Sequence, residues 1–462
     1  MRVKAGVIVQ NLRDSLWLLP AVLTVGAMVL AAVTVEFDRR LLADRRADFY
    51  LAFGGGAEGA RGVLIAIGST VITVTGVIFS VTIVALQLAS SQFTPLVLRG
   101  FVGDRANQLV LGVFIATFTY TLLVLRTVRS AAEDQQVFVP SISVAVAIGH
   151  ALVSIGLLIF FIHHVARSIQ ASVIIDRAMR DTRHVIDRVL PAGTSRGASL
   201  GEPSVPTDPA VTVAADRGGY IQAVDEDALF EVACRAGATI GMERRVGDHI
   251  LRGAPLISIW PAMQVPEDAA NVVRRAFVVG AERTLTDDLE LGVRQLSDIA
   301  LRALSPSLND PTTAMICFDR LAEVIAEVGS RQTPATVRHS DGGCLIARRQ
   351  TFRDAAETAF GLTRRSVAAD PDVARHVVEL IGEVGGRILP EHRPTLAAHA
   401  EALLATVEAM TDSPYDLEPV RRAARATLQA LSSTTETEAR PSAGREDGGQ
   451  HRPSAREQGV LG

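Results

Sequence analysis

The sequence predicts an α-helical membrane domain of four transmembrane helices, joined to a cytoplasmic α+β region made of a small β-barrel and a helical bundle. Three observations predict it. Apolar residues concentrate before Arg167, in a chain of 462 residues that is only 21% charged and has a mean hydropathy of +0.26. Four stretches there reach the ~20 apolar residues needed to cross a bilayer. Beyond residue 210 the pattern changes, first to short β-type runs and then to 3.6-residue periodicity. The expected units are residues 1–165 (membrane), 166–209 (juxtamembrane helix and linker), 210–262 (small barrel), 263–431 (mostly helical) and 432–462 (disordered tail).

The membrane segments are placed near Trp17–Val35, Val63–Ala89, Leu109–Val128 and Val137–Val165. Arg2, Lys4 and Arg13 before the first segment imitate a signal peptide. Its apolar run is too long for one, however, and no cleavage site follows, so it reads as a retained helix. Arginines around Arg99, Arg105 and from Arg167 to Arg188 favour both termini inside, although Arg39, Arg40, Arg45, Arg46 and Arg61 lie among acidic residues in the opposite loop. The odd, widely spaced Cys234, Cys317 and Cys344 match no zinc or redox motif and suit a reducing cytoplasm. Together these place the chain in the plasma membrane, multi-pass, with the lipid bilayer as its first partner.

The second segment is the least lipid-like. Ser69, Thr73, Gly76, Ser80 and Gln87 share one helical face, which Ser91 extends. In hydrocarbon such a stripe must face protein or water. It is either a close-packing face of small residues or the wall of a polar pathway at the centre of a homo-oligomer. In the fourth segment His150 shares a face with Ser143, Ala147 and Ser154. An ionisable group at that depth is a functional candidate, with a neutral imidazole bonded to a neighbour as the alternative. His163 and His164 point about 100° apart, so they read as interfacial anchors and not as a metal pair.

Residues 191–209, rich in Gly, Ser and Pro, read as a linker. The runs Val211–Val213, Gly219–Val224, Ala238–Ile240 and Leu256–Trp260 read as strands. The phrase Val246-Gly-Asp-His-Ile-Leu-Arg-Gly-Ala-Pro-Leu-Ile between them resembles the glycine-turn pattern of biotinyl and lipoyl barrel domains. Carrier chemistry is disfavoured, because Lys4 is the only lysine in the chain. Helical periodicity follows over Ala269–Gly280, Leu289–Leu304, Thr312–Val328, Ala355–Ala369, Ala374–Ile388 and Pro394–Met410, with a short strand at Gly342–Ala347. Within it, Pro306 ends one helix, and Asp310 followed by Pro311 caps the next. Capping alone accounts for the phrase. A functional reading groups Ser305, Asn309, Asp310 and Thr312, joined by Asp287, Asp288 and Asp298 from the preceding helix.

A near-neutral net charge of −4 gives no basic footprint for nucleic acid. No nucleophile–base pair, nucleotide loop or metal spacing appears, so the expectation is neither an enzyme nor a cofactor protein. Two functions compete. One is an oligomeric channel or transport-related protein built on the polar second helix and the Gly, Pro and polar residues from Ser90 to Gly103. The other is a membrane-anchored sensing or scaffolding protein whose soluble region binds a ligand or partner.

Four phrases carry a family resemblance: Ala85-Leu-Gln-Leu-Ala-Ser-Ser-Gln-Phe-Thr-Pro with Leu98-Arg, Leu111-Gly-Val-Phe-Ile-Ala-Thr-Phe-Thr-Tyr, Phe161-Ile-His-His-Val-Ala-Arg-Ser-Ile-Gln, and Leu304-Ser-Pro-Ser-Leu-Asn-Asp-Pro-Thr-Thr-Ala. They resemble the bacterial membrane proteins grouped as domain of unknown function 2254, over roughly residues 10–430. The resemblance implies a multi-spanning bacterial protein and supplies no catalytic residue.

Overall fold

The structure is a computed structural model that describes residues 17–44, 53–92, 104–129, 138–190, 210–261, 267–340 and 342–438. The side chains at 41–44, 89–92, 267 and 433–438 are outside that description. The linker 191–209, the segment 93–103 and the tail beyond Glu438 therefore lie outside the described residues.

Four helices, α1 (Leu18–Asp44), α2 (Ala57–Gln92), α3 (Arg105–Leu125) and α4 (Ser141–Ser168), are each long and apolar enough to cross a membrane. α3 is the hub. Half of its span is buried, against 17% for both α2 and α4. Its inward residues Val110, Phe114, Tyr120 and Val124 are almost fully buried. Gly112 lets α1 approach closely, since a Cβ there would come within 2.7 Å of Leu23 and 3.1 Å of the Pro20 backbone. Buried hydroxyls are satisfied locally, as lipid requires: Thr117 donates to the Val113 carbonyl at 2.8 Å and lies 3.2 Å from Ser154 Oγ.

After a break at Ile169 and Gln170, α5 (Ala171–Val189) begins. Its Ile174, Ile175, Ala178, Met179, Val185 and Ile186 are buried in the same core as the helices of the C-terminal bundle. The expected juxtamembrane helix is thus the bundle's first helix.

The β-type runs form strands β1 (Val211–Ala214), β2 (Gly219–Val224), β3 (Thr239–Met242), β4 (His249–Ile250) and β5 (Pro255–Trp260). Helix α6 (Glu226–Ala236) intervenes between β2 and β3. Helix α7 (Glu267–Ala276), β6 (Phe277–Gly280), β7 (Val337–Ser340) and β8 (Gly343–Ile346) complete the unit. The expected barrel is not there. Instead a five-stranded sheet runs β1-β5-β3-β8-β7, and a three-stranded sheet runs β4-β2-β6. Among the described residues only the β3–β8 pair is parallel. The strands within 211–261 are too short to close on themselves, and β8 and β6 arrive from beyond residue 262 to pair with β3 and β2. Ile221, Ile240, Ile257, Phe277 and Leu345 then fill one core with α6 and α7. The end of the segment read as helix to Gly280 is strand β6, because Phe277 and Val279 sit in register with Val224 and Ile221.

The remaining helices are α8 (Leu289–Ala303), α9 (Pro311–Ser330), α10 (Phe352–Ala356), α11 (Arg364–Ala368), α12 (Pro371–Gly385), α13 (Arg393–Met410) and α14 (Pro414–Glu438), with one π-helical turn at Glu357–Gly361. Asp288, Asp310 and Asp370 each accept from the first turn of α8, α9 and α12, and proline opens α9 and α12. Thr351 and Asp354 form a capping box on α10. Helix α14 carries the chain past the point expected to be disordered. Leu417, Val420, Ala424, Thr427 and Leu431 are buried at helical spacing, and this packing extends the helix beyond Ser432.

Candidate functional site

The stripe on α2 faces away from the rest of the chain. Ser69, Thr73, Gly76, Ser80 and Gln87 are all exposed, while Leu64, Val71, Ile78 and Ala85 on the opposite side pack inward. Gly76 has no atom within 4 Å of a notional Cβ. Ser91 belongs to the helix, but its side chain is outside the described residues. Ser69 and Thr73 return their hydroxyl protons to the Ala66 and Ser69 carbonyls at 3.2 and 2.7 Å, which removes their cost in an apolar setting. Gly62 and Ala66 are exposed on the same face. With them the small residues alternate four- and three-residue steps from 62 to 80. This is the seam spacing of left-handed helix pairs, and it is a sequence signal that attention to hydroxyls alone overlooks.

Among the described residues the interior of the four helices is packed with side chains. Where α3 meets its neighbours, the described interior is filled by Val110, Phe114, Tyr120 and Val124. His150 stacks on Tyr120 with ring centroids 5.1 Å apart, and its Nδ1 lies 2.9 Å from the Val146 carbonyl. Tyr120 Oη is 2.9 Å from Thr34 Oγ1 and donates to the Ser143 carbonyl at 3.2 Å. Beside it Asp38, only 4% exposed, accepts from Ile142 N, Ser143 N and Ser143 Oγ at 3.0, 2.9 and 2.6 Å. The half-buried His150 thus adjoins, through Tyr120, a buried polar cluster that ties α1, α3 and α4 at one end of the bundle. At the other end His164 Nε2 lies 2.8 Å from Asp104 Oδ2, and Asp104 caps α3 through Ala106 N. Sequence reading missed both aspartates, since each pairs with residues roughly 60 to 105 positions away. His163 is exposed.

Of the four residues of the Ser305 phrase, the half-buried Ser305 and the exposed Asn309 and Asp310 lie in a tight loop, while Thr312 stands in the first turn of α9. Ser305 Oγ donates to the Arg302 carbonyl at 2.7 Å and lies 3.1 Å from Ser307 Oγ. Asn309 takes φ +47°, a left-handed turn that asparagine tolerates. Asp310 accepts from Thr313 N and Oγ1 at 3.0 and 2.6 Å, so the cap uses Thr313 while Thr312 stays exposed. The three helix aspartates do not join them. Asp298 pairs with Arg294 at 2.6 Å. Asp287 and Asp288 lie at the opposite end of α8, roughly 22 Å along the helix.

Asp288 is instead the centre of a second site. It is 1% exposed, caps α8 through Leu291 N, and receives Arg283 in a fork at 2.7 and 2.8 Å. Gln350 Nε2 also donates to it at 2.8 Å, while Gln350 Oε1 accepts from Glu290 N. Arg245 reaches Asp354 at 2.5 Å and Glu290 at 3.4 Å. Burial opposes ionisation of Asp354, but Arg245 and Thr351 outweigh it and hold its carboxyl below the usual range. Gly247, at φ +92°, leaves room where a Cβ would come within 2.8 Å of both Arg283 and Asp288. The network joins the sheet unit to the helical bundle. Burial is the main cause that raises Asp287, against the counter-pull of Arg188.

Four apolar spans that end in a charged, capped helical bundle define an integral membrane protein of the α-helical class. The chain belongs to the family described as predicted membrane protein (DUF2254), whose match covers residues 13–383. It is 36% identical over 347 residues to the uncharacterized proteins Mb1321c of Mycobacterium bovis and Rv1290c of Mycobacterium tuberculosis. That alignment covers 73% of this chain and 65% of each relative's length. No solved structure matches it.

Proposed function

We propose that the protein is a channel- or transport-related homo-oligomer of the plasma membrane, in which the α2 faces of several copies surround a common axis and the larger region lies in the cytoplasm. One observation carries the reading: the small and polar stripe of α2 points out of the chain. Left to lipid, the stripe forgoes the close contacts that small residues allow between helices. Placed against itself, the seam packs closely, and the hydroxyls and Gln87 line the centre. The reading is non-enzymatic.

Ser80→Asp beside Ser80→Ala tests it, through oligomer size in detergent and ion flux in liposomes. A central aspartate costs ~3 kcal/mol in lipid, whereas a hydrated axis tolerates it and gains a charge ring. Assembly of both variants with altered flux in the aspartate form is expected. Loss of assembly in the aspartate form alone indicates a dry packing seam and removes the pathway.

A further inference from the structure

The loop Leu304–Asp310 resembles a family phrase, yet its hydrogen bonds are explained by capping, which leaves its position to account for. That position follows from the helices on either side. α5 is fixed to the membrane helix α4 by a connection of only Ile169 and Gln170. α9 runs beside α5 in the same direction: Asp176 pairs with Arg320 at 3.2 Å, Arg183 with Glu323 and Glu327 at 3.3 and 3.0 Å, and Asp187 with Arg331 at 2.7 Å. Counted from each helix start, α9 is level with α5 or ahead of it, by up to about 6 Å at a rise of ~1.5 Å per residue. Pro311 therefore reaches the level of the α4–α5 break, one helix spacing of about 10 Å to the side. α8 runs the other way. Its start is tied to the far end of α5 by Arg188, which lies 3.7 Å from Asp287, and midway a Cβ at Gly292 would meet Thr182 within 2.8 Å. Both helices thus bring the loop between them to the point where α4 leaves the bilayer, while the sheet unit attaches at the opposite end through Arg245, Gly247 and Asp288.

Leu308 is 43% exposed at the tip of this loop, flanked by the exposed Pro306, Ser307 and Asn309. An exposed leucine among small polar and proline residues suits the boundary of headgroups and acyl chains, where apolar side chains gain burial and loop backbone remains hydrated. On the same side of the bundle, His164, the cap Asp104 and the exposed Trp17 mark that boundary on the membrane helices. We propose that the Leu304–Asp310 loop rests in the headgroup layer of the membrane that the chain spans, with Leu308 inserted, so that the bundle touches the bilayer at a second point beside α4. The proposal does not depend on oligomer formation.

The test is lipid quenching on the full chain in liposomes. With Cys234, Cys317 and Cys344 replaced by alanine, a fluorophore is attached at Leu308→Cys, at Ser307→Cys and, in the sheet unit, at Leu251→Cys. Lipids carrying a nitroxide near the headgroup are expected to quench the label at 308 several-fold more than that at 251, and iodide to quench 251 more than 308. Ser307→Cys reports on the same tip if the leucine variant fails to assemble. Equal, water-like behaviour at 308, 307 and 251 overturns the proposal. So does a label at 308 shielded from both iodide and lipid nitroxide, which would place the loop against another protein surface.

Discussion

Asp38 near the end of the first membrane helix and Ser143 in the first turn of the fourth are joined by two hydrogen bonds, from Ser143 N at 2.9 Å and from Ser143 Oγ at 2.6 Å. Ile142 N adds a third at 3.0 Å. α4 has no side-chain cap from its own preceding residue, Pro140, so Asp38 supplies one from a different helix. Asp38→Ala leaves two backbone donors without a partner where water is scarce, and should lower stability by about 2–4 kcal/mol. Ser143→Ala removes one bond and should cost about 1 kcal/mol. Thermal unfolding in detergent compares them, and equal losses would show that the backbone capping contributes nothing.

A different contact sets how the bundle docks on the helix leaving the membrane. Gly292 of α8 lies against Thr182 of α5, where an added Cβ would sit 2.7 Å from the hydroxyl oxygen. Thr182 is fully buried and its hydroxyl donates to the Ala178 carbonyl. Gly292→Val should therefore separate the two helices and destabilise the bundle by about 2–3 kcal/mol. Thr182→Ala in the same chain should recover part of that loss. Additive losses in the double variant would place the strain elsewhere.

How far the sequence foretold all this differs by element. The membrane helices were legible because each carries its own long apolar run. Strands β1, β2, β3, β5 and β8 were legible as local runs, but their pairing was not. β8 lies beside β3 only after roughly 100 intervening residues have folded, and a glycine-turn pattern says nothing about which edge a later strand will fill. The stripe on α2 was visible as a face, while its outward direction depends on which side of the helix meets α3. Asp38 and Asp104 read as ordinary loop and terminal charges until their partners on α4 are in place.

Two histidines in the bundle should make stability depend on mildly acid pH. His392 stacks on Phe352 at 4.3 Å, and His399 lies near Phe360 at 6.1 Å. Burial lowers both pKa values below the ordinary 6.5, more than the neighbouring glutamates raise them. The folded state thus prefers neutral imidazole and the unfolded chain takes up the proton first. Their contribution is complete above pH ~6.5 and is lost as the pH falls through the depressed folded values. A melting-temperature series from pH 8 to 5 should decline for the natural chain and decline less for His392→Gln with His399→Gln. Identical slopes would remove the assignment.

Cys317 offers a probe of bundle opening. It is fully buried on α9, and burial, with the charges of Asp310 and Asp319, pushes its thiol up to about 12. At pH 8 it should resist a maleimide for as long as the fold is closed, since both thiolate and access are lacking. In a chain with Cys234→Ala and Cys344→Ala, modification should appear only at denaturant concentrations that unfold the helices. Rapid labelling under native conditions would mean that α9 opens locally far more often than its packing implies.

The orientation of the chain can be settled with residues on opposite sides of the bundle. Ala57 opens α2 at the end where Asp38 meets Ser143, while Leu251 lies in the sheet unit that follows α4. Arginines favour the second side as the inner one: Arg105 starts α3, Arg167 ends α4, and Arg177, Arg180, Arg183 and Arg188 follow on α5. On the Ala57 side, Arg40 is paired with Glu36 at 3.0 Å and Arg61 donates to the Val128 carbonyl at 3.0 Å. Among the described residues that inner side carries these six arginines against five on the Ala57 side (Arg39, Arg40, Arg61, Arg126 and Arg129), and the positive-inside rule assigns the side with more arginines to the interior. Single cysteines at Ala57 and Leu251, in a chain otherwise free of cysteine, should differ with an impermeant thiol reagent on intact cells. Ala57→Cys should label before lysis and Leu251→Cys only after it. The reverse pattern would put the soluble region outside and end the cytoplasmic placement, while leaving the helix packing described above unchanged.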